Sequence, residues 1–72
     1  MERVDTRGLN SPDCVVKIIQ RAVRMEPGSI LEVLGDCPTF EKDVRAWCEG
    51  TGRVFLSVGS EDESTKRIQV KL

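Results

Sequence analysis

Histidine is missing from this 72-residue chain, and its absence removes whole classes of chemistry. Ser-His-Asp and Cys-His nucleophilic catalysis need imidazole as a base, and the common zinc sites use it as a ligand. No apolar run approaches the ~20 residues that span a bilayer. A charge excess is lacking too: 11 basic and 12 acidic residues leave a net −1, which gives no drive toward nucleic acid or an anionic membrane. The aromatics are one Trp and two Phe; none is interleaved with a basic stretch, which also argues against nucleic acid. No linker or low-complexity segment interrupts the chain, so residues 1–72 read as one domain. A domain of this size has no room for a deep pocket, and its chemistry belongs at the surface.

Three cysteines are present, none in a tight C-x-x-C pair, so no metal and no cofactor is expected. The odd count, without a signal peptide, points to a reducing compartment and a cytoplasmic location.

The periodicity predicts a short strand over Arg3 to Arg7, with Val4 inward. A helix from Pro12 to about Met25 carries Val15, Ile18, Ile19, Ala22 and Met25 at helical spacing. Val16 and Val23 widen that stripe, and Lys17, Arg21 and Arg24 form the wet side. Glu26-Pro27-Gly28 stops the helix. Ile30 to Leu34 reads as the most buried strand. A second helix starts at Pro38, aligns Phe40, Val44, Trp47 and Cys48, and closes at Gly50 and Gly52. Two alternating runs, Val54-Leu56-Val58 and Ile68-Val70-Leu72, flank an acidic loop and read as a hairpin. The order βαβαββ predicts an α/β (α+β) two-layer sandwich, with two helices on one face of a mixed four-stranded sheet. A right-handed crossover makes the first two strands parallel, so both helix starts share one end of the sheet.

That shared rim gathers Ser11, Cys14 and Cys37. In Gly8-Leu9-Asn10-Ser11-Pro12-Asp13-Cys14, Ser11 reads as the N-cap, Pro12 as the first helical residue and Cys14 as the third. The cap stabilises the helix by ~1 kcal/mol relative to Ala. In Asp36-Cys37-Pro38-Thr39, Cys37 takes the N-cap position. A thiol at a helix start faces unpaired N–H groups and the positive end of the dipole, both favouring thiolate. Cys37 is therefore the first candidate nucleophile, against the plainer reading of a small residue that caps poorly. Cys14 is the second, with Asp13 beside it adding an unhelpful like charge. Pro12, Asp13, Asp36 and Pro38 support the two helix starts. Cys48 continues an apolar stripe at a helix C-terminus and reads as core. Arg7, Arg53, Lys66 and Arg67 read as solvated charge.

The segment Val4 to Cys14, the Pro27-Gly28 turn, the apolar strand, Cys37-Pro38, the Asp43-Val44 pair and Cys48 occur in a telling order. In this the chain resembles the TusA/SirA-like (also YedF-like) family of small sulfur carriers over nearly its whole length. The resemblance implies a two-layer sandwich that hands on persulfide sulfur. It maps the family's sulfur-accepting cysteine onto Ser11 and its motif's second proline onto Cys14. The acidic residue before the second helix's proline falls on Cys37, and a frequent histidine on Arg53. A hydroxyl carries no persulfide. Ser11 is therefore a natural loss, a substitution made to remove a reactive thiol, or the mark of a site relocated to Cys37 or Cys14. With a cysteine at position 11 the segment would read C-x-x-C.

The expected function is a sulfur carrier and not a conventional enzyme, with Cys37 taking the sulfur and Cys14 as alternate or resolving thiol. The implied partners are a sulfur-donor protein (a cysteine desulfurase or rhodanese) and a sulfur-acceptor protein, with no membrane. The competing expectation is a non-catalytic binding or regulatory module that has lost the sulfur site. A third is a redox switch through a Cys14–Cys37 disulfide, which needs Cα atoms within roughly 7 Å.

Overall fold

The computed structural model describes residues 2–72. Its elements run β1 (Glu2–Asp5), α1 (Asp13–Ala22), β2 (Ile30–Gly35), α2 (Phe40–Thr51), β3 (Val54–Ser60) and β4 (Lys66–Lys71). The strands form one sheet in the order β1-β2-β4-β3. β1 is parallel to β2, while β4 runs antiparallel to both β2 and β3. This is the mixed α+β sheet that the pattern predicts. α1 packs on β1 and β2, α2 on β3 and β4, and the helices touch each other. A single core lies between the layers, with Ile18, Leu31, Val33, Val44, Ile68 and Val70 inaccessible to solvent. Among the described residues no helix is long and apolar enough to cross a membrane.

The element ends depart from expectation for local reasons. β1 stops at Asp5, two residues early; Thr6 donates both its N–H and its hydroxyl to the Leu34 carbonyl, at 2.8 and 2.6 Å, and the chain then turns, with the Leu9 N–H on the Thr6 carbonyl. Ser11 does not cap α1. The helix starts at Asp13, Pro12 is the N-cap residue, and no side chain bonds the free N–H groups. The first turn is held by backbone instead, with the Cys14 N–H on the Asn10 carbonyl at 3.1 Å. α1 ends at Ala22 and not Met25. There the hydrogen bonds tighten to three-residue spacing, from Arg24 to Arg21 and Met25 to Ala22, as at many helix ends. Its buried face is narrower than the apolar stripe: Cys14, Ile18 and Ala22 are covered, whereas Val16, Ile19 and Val23 are exposed.

α2 likewise starts at Phe40 and not Pro38. A turn closed by the Phe40 N–H on the Cys37 carbonyl precedes it, which makes Thr39 the N-cap residue and moves Cys37 out of that position. Phe40, Val44 and Cys48 are buried as the stripe requires, with Trp47 half-buried against the core. In β3 the ladder shifts between Phe55 and Ser57, which leaves Leu56 as the extra residue of a bulge. Phe55 then pairs with Val70 and packs on the core, while Val54, Leu56 and Val58 are all exposed. Simple alternation fails on this strand.

Candidate functional site

The parallel pairing of β1 and β2 delivers both strand-to-helix junctions to the same end of the sheet. The first junction is tied to the second by the Gly8 N–H, which donates to Asp36 Oδ1 at 3.0 Å. The Ser11 backbone N–H of the first junction also favours negative charge on the Cys37 sulfur of the second. Gly8 has φ +86°, a conformation that glycine adopts without strain.

Between the junctions three side chains converge. The Sγ atoms of Cys14 and Cys37 and a carboxylate oxygen of Asp43 all lie within 4.8 Å of one another. Cys14 comes from the first turn of α1, Cys37 from the β2–α2 connection and Asp43 from the first turn of α2. Thr39 links two of them: its Oγ1 donates to Asp43 Oδ2 at 2.8 Å and lies 3.5 Å from Cys37 Sγ.

The two thiols are driven apart electrostatically. The Thr39 hydroxyl, then the Thr39 and Ser11 backbone N–H groups, favour the anionic form of Cys37, so its pKa falls below that of an ordinary thiol. Burial pushes the Cys14 thiol up, and the neighbouring Cys37 and Asp43 charges add to that. Burial also raises the Cys48 thiol, with Arg53 opposing. Cys37 is half-buried, whereas Cys14 has no exposed surface. A chemical partner arriving from solvent therefore meets Cys37 first.

The rim residues divide accordingly. Ser11, Pro12, Asp13, Asp36 and Pro38 are exposed around the cluster, and Cys14 lies beneath it as part of the core. Thr39 and Asp43 join the site although the sequence reading assigns them no chemistry there. Their signal is a hydroxyl four residues before a carboxylate at a helix start, a spacing that puts both on one side of the first turn.

A sequence model of the family described as Sulfurtransferase TusA matches residues 2–71. The chain belongs to the TusA family. A putative sulfur carrier protein of Aquifex aeolicus is 36% identical over 62 residues, covering 86% of this chain and 32% of that relative. The chain thus spans about a third of the length of that protein. A putative sulfur carrier protein of Archaeoglobus fulgidus is 28% identical over 69 residues, covering 96% of this chain and 94% of the relative. The TusA match extends from β1 through β4, so both junctions and the thiol cluster lie inside it.

Proposed function

We propose that this TusA-family chain is a sulfur carrier whose accepting thiol is Cys37. The single observation that supports this most is the contrast between a half-buried thiol held toward thiolate and a fully covered one beside it. The thiolate is the attacking form of cysteine. In loading, Cys37 thiolate attacks the outer sulfur of a donor persulfide, R–S–SH. An S–S bond forms to Cys37, the donor's S–S bond breaks, and the donor leaves as a thiolate. The product, Cys37–S–SH, keeps its inner sulfur beside the Ser11 and Thr39 N–H groups. Discharge repeats the exchange with an acceptor protein's thiolate. Cys14, whose Sγ lies within 4.8 Å of that of Cys37, is the alternate or resolving thiol in this reading: its attack on the inner sulfur would release hydrosulfide and leave a Cys14–Cys37 disulfide.

The partners follow from this chemistry. A cysteine desulfurase or rhodanese supplies the sulfur and a cysteine-bearing acceptor removes it. Incubation with a desulfurase, cysteine and its pyridoxal cofactor, followed by peptide mapping, should place a DTT-reversible extra sulfur on Cys37. An unmodified chain after a donor control has been loaded would refute the proposal.

Ser11 favours a second reading, in which the chain keeps the fold as a binding module without carrying sulfur. It is exposed on the rim at the position where the family resemblance puts the carrier cysteine. That reading requires partner binding to survive joint replacement of Cys14 and Cys37.

A further inference from the structure

We propose that Cys14, Cys37 and Asp43 form a binding site for a thiophilic divalent cation of the zinc type. Three potential ligand atoms from three separate segments lie within 4.8 Å of one another. Around a tetrahedral zinc ion with Zn–S of about 2.3 Å, two sulfurs stand about 3.8 Å apart. The two sulfurs therefore need to close by about 1 Å at most to hold such an ion. Two sulfurs and one carboxylate oxygen suit a borderline-soft cation, whereas calcium and magnesium require oxygen ligands. Cys14 closes the inner side and Cys37 and Asp43 are half-buried, so three ligands come from the protein and a fourth position faces solvent.

Thr39 supplies the outer support that such a site uses. Its hydroxyl donates to Asp43 Oδ2 at 2.8 Å, which leaves the other carboxylate oxygen for the metal. The same side chain bonds no free N–H of α2, so its orientation serves the cluster and not the helix cap. Binding converts two thiols to thiolates and releases two protons. Metal and persulfide need the same Cys37 sulfur and exclude each other. That consequence rests on the carrier reading; binding itself does not.

The test is a Co²⁺ titration of the fully reduced chain, without any sulfur donor, followed by displacement with Zn²⁺. The site predicts one Co²⁺ per chain, an intense sulfur-to-cobalt charge-transfer band and tetrahedral visible bands, all bleached by Zn²⁺. Cys37→Ser should remove most of the charge-transfer intensity, and Asp43→Asn should weaken binding while keeping it. Thr39→Val should weaken it by about 10–100-fold, the usual effect of losing an outer-shell partner. Circular dichroism verifies that each variant is folded. No uptake, a weak octahedral spectrum without sulfur bands, or binding indifferent to Cys37→Ser and Asp43→Asn in folded variants would overturn the site. A chain that binds Co²⁺ this way yet takes no sulfur from a desulfurase would refute the carrier reading and leave the metal site standing.

Discussion

Thr39 has one hydroxyl proton and two acceptors for it, the Asp43 carboxylate at 2.8 Å and the Cys37 sulfur at 3.5 Å. The Ser11 and Thr39 backbone N–H groups have no such choice, so they still lower the Cys37 pKa when the hydroxyl turns to Asp43. The consequence is a graded prediction. Alkylation by iodoacetamide should reach half-maximal rate at Cys37 below the pH of an ordinary thiol, with Cys14 and Cys48 reacting later as pH rises. Thr39→Val should move the Cys37 midpoint upward but only part of the way. Equal midpoints for the three cysteines, read by peptide mapping, would contradict this. At the C-terminal end of β1, the Arg7 guanidinium and N–H hold the exposed Asp5 carboxyl down at about 2. The sign is that of a depressed acid: this pair's contribution is present above the ordinary carboxylate range and is lost as pH falls toward about 2. Arg7→Ala should return the Asp5 titration, followed by NMR, toward the usual value.

At the scale of elements, Gly35 ends β2 where the ring of Phe40 lies against its backbone. A Cβ at Gly35 would run into Phe40 Cδ1, Cε1 and Cγ. Phe40 is buried at the start of α2 and has no open space to retreat into. Gly35→Ala should therefore destabilise the fold by about 1–3 kcal/mol, as overpacked cores do, and chemical denaturation measures it. Much of this was legible in the sequence. The Phe40-Val44-Cys48 stripe, the buried β2 and the inward Ile68 and Val70 all follow from spacing. The helix starts were not, because Ser11-Pro12 and Cys37-Pro38 match first-turn preferences while the chain uses those residues for the turns just before. The bulge at Leu56 was equally hidden, since one extra residue reverses the facing of everything before it. The gathering of both thiols at one end was read from the parallel β1–β2 pairing. Cover over Cys14 was expected from the preceding loop, but its full burial in the core depends on how α1 seats on the sheet.

At the scale of the whole molecule, the fold is small and its core is shared by every element. A 72-residue domain has a total stability of roughly 4–11 kcal/mol. Truncating the fully buried Ile18 to Ala should remove about 2–5 kcal/mol of it. Thermal unfolding should show that as a large drop in midpoint; a shift of only a degree or two would mean the core is looser than described. The covered Cys14 belongs to this same core, so the cluster is built with its inner side fixed and its outer side free to meet a partner. That division is what the proposed carrier role uses: Cys37 would exchange with partner proteins while Cys14 stays behind it. The most direct test is intact-mass spectrometry after desulfurase treatment of the unmodified chain, Cys37→Ser and Ser11→Cys side by side. The account predicts a DTT-reversible gain of about one sulfur mass on the unmodified chain that Cys37→Ser loses. A gain confined to Ser11→Cys would contradict it, showing a fold ready for sulfur in a chain that lacks the thiol to carry it.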